Sequence, residues 1–284
     1  MADGGKASVG LAQPGSEMAD PQFPNSLISS SPKKPMLLEI CVDSLDSVIA
    51  CAEAGADRIE LCASLTEGGL TPSAGILSQA RALFPGEIAF MIRPRGGDFA
   101  YRPEEIFSMA ADIELARDLG ADAVVFGCLE PDGALDLSAI ETLLDACDGF
   151  PAVFHRAFDV CRDLPGALEI LAELGFERIL TSGGAPSVIE ALDPIAALVQ
   201  QAAGRIDILP GGGIKADQVA EILRRTGVNQ IHLSARTLQE SAMTWRRPDI
   251  PMGAATVPGE YERRIADVGL ITAARQGLVQ ARTE

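Results

Sequence analysis

The chain has 284 residues, 47% of them hydrophobic and 22% charged, which is enough apolar material for a sizeable core in one large domain or two small ones. Its 40 acidic residues against 23 basic ones leave a net charge of −17, an argument against nucleic acid or an anionic membrane surface as partner. No apolar run reaches bilayer-spanning length, so no membrane segment is expected.

Residues 1–35 are rich in Gly, Ser, Pro and Ala, contain no Arg, and lack the apolar core of a signal peptide. They read as a disordered tail on a cytoplasmic protein. Six cysteines (Cys41, Cys51, Cys62, Cys128, Cys147 and Cys161) spread over a long chain without a leader predict reduced thiols rather than a disulfide framework.

From Met36 onward, short Val/Ile/Leu-rich runs alternate with longer amphipathic ones, the signature of βα units around a parallel sheet. Strands are expected at 37–42, 58–62, 88–93, 123–128, 152–158, 178–181, 206–209 and 230–234. Seven of the intervening helices are expected to stop at a glycine before the next strand: Gly55, Gly86, Gly120, Gly149, Gly175, Gly204 and Gly227. Four of these junctions read almost alike (GADRIEL, GADAVVF, GFERILT, GVNQIHL), an internal echo. Pro103 suits a first helical turn, with Ile106, Met109, Ile113 and Ala116 on one face after it. The Asp43-Ser44 pair reads as a helix cap.

Eight such strands fit a closed (βα)8 TIM-type barrel over 36–284, a single domain, better than an open doubly wound sheet. The first strand also runs into Val42-Asp43-Ser44, with no dinucleotide-binding glycine pattern. Residues 237–259 have the Pro/Gly/Arg character of a long loop, and a final helix is expected near 260–279.

The working face of a barrel is the C-terminal end of its strands. Polar residues crowd there: Glu39 and Cys41, Glu60 and Cys62, Arg93 and Arg95, His155, Arg156 and Asp159, Thr181 and Ser182, Gly211 to Gly213, His232 and Ser234. Both histidines of the chain are among them. Glu39-Ile40-Cys41 and Glu60-Leu61-Cys62 repeat one phrase on the first two strands, so parallel pairing would set a carboxylate pair and a thiol pair side by side.

Arg93 and Arg95 suit paired hydrogen bonds to a carboxylate or phosphate; alternatively they pair internally with Glu39, Glu60 or Asp98. Ser182-Gly183 and Gly211-Gly212-Gly213 follow strands six and seven, where backbone amides of barrels commonly cradle phosphate. The thiols of Cys41 and Cys62, on strands about 4.8 Å apart, leave three readings open: ligands of a soft ion such as Cu(I), buried small hydrophobes, or a disulfide.

The motifs ELCASLTEGGLTPS, MIRPRGGDF, FHRAFD, LTSGG and PGGGI, in this order over 36–236, resemble the CutC family, named for copper homeostasis. The resemblance implies a TIM-type barrel, assembly as a homo-oligomer (dimer or tetramer), and Cu(I) held by paired cysteines at Cys41 and Cys62. An enzymatic alternative uses the same mouth: an isomerase or lyase on a small anionic or phosphorylated metabolite. There Glu39, Glu60, Arg93, His155, Asp159 and His232 would be catalytic, with Arg93, Arg95, Ser182, Gly183 and the three glycines holding the anion.

Overall fold

The computed structural model describes Met1 and residues 35–252 and 258–283. The tail expected over residues 1–35 therefore lies, apart from Met1 and Pro35, outside the described residues.

Eight parallel strands alternate with helices. In chain order they are β1 (Leu37–Val42), α1 (Leu45–Ala54), β2 (Arg58–Leu61), α2 (Ala74–Leu83), β3 (Glu87–Met91), α3 (Pro103–Asp118), β4 (Ala123–Phe126) and α4 (Leu137–Cys147). The second half runs β5 (Ala152–Phe154), α5 (Leu164–Glu173), β6 (Arg178–Thr181), α6 (Leu192–Ala202), β7 (Asp207–Pro210), α7 (Val219–Thr226) and β8 (Gln230–Leu233). The sheet order is β7-β6-β5-β4-β3-β2-β1-β8, and a parallel bridge between Gly211 and His232 brings its two ends together. This is the (βα)8 barrel that the alternating pattern predicts.

Helix boundaries follow local chemistry. Ser44, Ser73, Asp136 and Asp163 accept backbone N–H bonds at the starts of α1, α2, α4 and α5. Pro103 opens α3, and Ile106, Met109, Ile113 and Ala116 form its buried face. Six of the seven expected glycine stops sit at φ between 71° and 87°, where a side chain would be strained. Gly86 is the exception, because α2 ends at an extended Phe84. Glycine is needed there for space, since an added Cβ would lie 2.5 Å from the Asp57 carbonyl oxygen.

Strand five also differs from expectation. It ends at Phe154, and His155 caps a short 3-10 turn over Arg156–Val160. Beyond β8 an antiparallel pair, β9 (Arg236–Glu240) with β10 (Glu262–Ala266), takes up the start of the expected loop and the start of the expected last helix. The last helix accordingly starts later, at α8 (Val268–Thr283), and it packs on α1 and α7 to complete the helical ring. No described helix is long and apolar enough to cross a membrane.

The barrel interior is divided. Ala89, Met91, Ala123, Val125 and Val153 line one side, in contact with Cys41 and Cys62. Glu39, Arg58, Glu60, Arg178, Gln230 and His232 are buried polar residues. The larger apolar core lies between the strands and the helices.

Candidate metal centre

Strand register assembles the site. β1 pairs with β2 so that Glu39 faces Arg58 and Cys41 faces Glu60, while on its other side Glu39 faces His232 of β8. The register is thus offset by two residues: carboxylate does not stand directly opposite carboxylate, nor thiol opposite thiol, although the two sulfurs still meet as expected. Closing a barrel requires strands to tilt and stagger, and that shear moves each side chain opposite the next one along. The consequence is a mixed cluster.

Cys41 and Cys62 bring their sulfurs to 3.9 Å, and both are free thiols. Each donates to Oε2 of Glu60, at 3.1 and 3.6 Å. His232 turns Nε2 towards the same oxygen at 3.9 Å. One ligand atom from each of Cys41, Glu60 and His232 falls within 4.8 Å of the others, all three residues being buried. The opposite ring nitrogen of His232, Nδ1, lies 2.6 Å from Oε1 of Glu39. Glu39 is bonded in turn to Nε of Arg58, whose Nη2 donates to Gln230 at 2.6 Å.

The charges follow from these contacts. Burial alone would raise the Glu39 carboxyl, but Arg58 and His232 outweigh it and hold the group well below the usual carboxylate range. Burial would lower His232, yet Glu60, Cys41 and Glu39 lift it well above its ordinary value. Burial raises Glu60, with His232 opposing. The bond to Cys62 and burial push Cys41 up. Cys62 stands at about 12, the Cys41 bond lowering it and burial and Glu60 more than reversing that. At neutral pH the two thiols are therefore protonated and His232 is an imidazolium beside the Glu39 carboxylate.

These residues fit a metal. Two sulfurs suit a soft ion, and an imidazole backed by a carboxylate on its far nitrogen is the usual arrangement for a ligating histidine. A cation would replace protons, because thiols ligate as thiolates. The segment from Ala63 to Leu70 lies over the cluster: its ends bridge Ala63 to Leu70, Leu65 packs on the thiol side, and a Cβ at Gly69 would stand 3.2 Å from the Cys62 sulfur.

The other predicted residues lie elsewhere on the rim. Arg93 donates Nη1 to the carbonyls of Glu67 and Gly69 at 2.8 and 3.1 Å, and Nη2 to that of Gly97 at 2.8 Å. It therefore holds the covering segment. Arg95 pairs with Glu105 at 2.6 Å and with Asp98 at 3.0 Å, so of the internal partners considered only Asp98 is used. His155 accepts from the Ala157 amide at Nδ1, packs on Phe99 at 4.9 Å, and is held down at about 3 by burial and by Arg93. Asp159 accepts from the amides of Ser182 and Gly184, from Thr181 and from Arg156, stitching two rim loops together. Ser182 donates to the Ala185 carbonyl, and the Gly183 amide donates to Thr181.

The glycines serve close approach. A Cβ at Gly211 would lie 2.5 Å from Leu180 and 2.9 Å from the His232 ring, one at Gly212 3.1 Å from Ser182, and one at Gly213 2.9 Å from Ser187. Arg58 is the functional neighbour that sequence reasoning passed over. It opens β2 on the same face as Glu60 and Cys62, and that alternation was the available signal.

A (βα)8 barrel carrying a buried thiol, carboxylate and imidazole cluster at the C-terminal end of its strands is the class that fold and site define. The model of the CutC family matches residues 36–237. The human "copper homeostasis protein cutC homolog" is 46% identical over 232 residues, covering 82% of this chain and 85% of that protein. A CutC family protein of Bacteroides fragilis is 44% identical, covering 83% and 94%. The crystal structure of a Streptococcus agalactiae protein described as a copper homeostasis CutC superposes with a TM-score of 0.68 at 40% identity, covering 70% of this chain and 98% of that one. The chain belongs to the CutC family.

Proposed function

We propose that this protein binds copper as Cu(I) in copper homeostasis, with Cys41 and Cys62 as the sulfur ligands and His232 and Glu60 beside them. The single observation that carries this reading is the 3.9 Å approach of two free, buried thiols next to an imidazole and a carboxylate. The family's copper-homeostasis relatives support it. The barrel buries the thiols against Ala89, Met91, Val125 and Val153, and Glu39 orients His232 so that Nε2 faces the Glu60 carboxylate oxygen to which both thiols donate. A cytoplasmic setting suits six free thiols, and assembly as a homo-oligomer is carried over from the family resemblance.

The enzymatic alternative is not favoured by any one contact. Its anion-holding arginines, Arg93 and Arg95, are bonded within the chain. An anaerobic Cu(I) titration against a competing chelator tests the copper reading on the native chain and on Cys41→Ser/Cys62→Ser. One tightly held ion that vanishes in the folded variant supports it. Weak binding, or binding indifferent to the substitutions, overturns it.

A further inference from the structure

Outside the barrel interior, the loops after β7 and β8 and the flank of α8 line a half-open cavity of about 700 Å3, within the range of about 300–1,000 Å3 usual for small-molecule sites. Its inner wall is apolar and includes Leu233, Leu270 and Ala273, while Lys215, Ser234 and Arg236 line it with polar atoms. His232 belongs to the cluster inside the barrel, whereas the next residue, Leu233, belongs to the core between strands and helices. The cavity and the thiol cluster are thus served by opposite faces of one strand.

Three observations converge on an anion. The chain carries a large acidic surplus, and Arg58, Arg95, Arg156 and Arg205 each hold a carboxylate. Lys215, the only lysine between residues 35 and 284, and Arg236 form no ion pair among the described residues. The Nε of Arg236 is also buried with no hydrogen-bond partner there, and a buried donor of this kind ordinarily has an acceptor. Finally, Ala235, immediately before Arg236, is buried in the left-handed region at φ 43°, a conformation that a non-glycine residue keeps only where its surroundings impose it. Loops after strands seven and eight are where barrels most often take up phosphate.

We infer that this cavity binds a small phosphate monoester. Arg236 and Lys215 pair with the dianionic head, Arg236 through its planar fork and Lys215 as a point charge. Ser234 adds a hydroxyl, and the apolar body of the ligand lies against Leu233, Leu270 and Ala273. Asp217 also reaches the lining, so both cations are needed against it.

Isothermal titration with inorganic phosphate and with phenyl phosphate separates head from body. Phenyl phosphate should bind the native protein at least tenfold more tightly than inorganic phosphate. Arg236→Ala should weaken both at least tenfold, and Asp217→Asn should tighten both. Ala273→Phe should abolish the advantage of phenyl phosphate while sparing inorganic phosphate. Copper titration should be unchanged in each variant, which keeps this inference separate from the copper reading. No saturable binding of either probe, or equal affinities in native and Arg236→Ala protein, overturns it. Should Arg236→Ala fail to fold, Lys215→Ala and Ala273→Phe decide the matter by the same criteria.

Discussion

Glu39 Oε1 lies 2.6 Å from His232 Nδ1, while Glu39 Oε2 is bonded to Arg58 Nε, so one buried carboxylate serves two cations on neighbouring strands. This chain runs through the barrel interior, with Glu39 1% and Arg58 2% exposed. Removing one partner strands the other in a low-dielectric interior. Glu39→Ala should therefore cost about 3–5 kcal/mol in urea unfolding. Glu39→Leu/Arg58→Met, which removes the carboxylate and one of its two cations, should recover part of that loss. A double variant as unstable as the single one would refute the pair's role.

The titration of His232 has a definite sign. Burial opposes its charge, but Glu60, Cys41 and Glu39 raise it well above the ordinary 6.5. A group raised on folding contributes stability that is fully present below its unfolded value and is lost as pH rises through its folded value. The stability difference between the native protein and His232→Gln should be largest near pH 5.5–6 and shrink steadily above pH 6.5. Copper affinity should move the other way, strengthening with pH, because binding displaces protons from the thiols and the imidazole. A stability difference independent of pH would contradict the assigned contacts.

Much of this architecture was legible in the sequence, for identifiable reasons. The barrel declared itself through eight apolar runs and the glycines between them. Glu39, Cys41, Glu60 and Cys62 were singled out by a phrase repeated on two strands and His232 by its place at a strand end, and all five are buried. The stagger that sets Cys41 opposite Glu60 was not legible, since shear is a property of the closed barrel and not of either strand. Nor was the task of Arg93, whose acceptors are backbone carbonyls that leave no side-chain signal. The β9–β10 hairpin escaped because its strands, RTLQE and ERRIA, are polar and far apart in the chain.

Arg93 should behave as a latch on the segment covering the thiols. Its guanidinium makes three bonds to carbonyls and stacks 5.0 Å over Phe99. Arg93→Ala should cost about 2–4 kcal/mol of stability, charged hydrogen bonds being worth more than neutral ones. It should also expose Cys62, which is 1% accessible in the native protein. With its thiol pushed up to about 12, Cys62 should resist Ellman's reagent at pH 8 in the native chain and react at least tenfold faster in the variant. Unchanged reactivity would dismiss the latch.

Gly211 gives a test that replaces neither a thiol nor a charged residue. Its Cβ would meet Leu180 at 2.5 Å and the His232 ring at 2.9 Å, so Gly211→Ala must push the imidazole aside or bend β7. Overpacking of this kind costs about 1–3 kcal/mol. Copper affinity should fall at least tenfold while the protein stays folded. Retention of full affinity would remove His232 from the site.

The most direct test of the central claim is X-ray absorption at the copper edge on anaerobically loaded protein. The native chain should show two sulfur neighbours to a single Cu(I), with Cys41→Ser and Cys62→Ser each removing one. A spectrum with only nitrogen and oxygen neighbours, or one left unchanged by both substitutions, would contradict the assignment of copper to this pair.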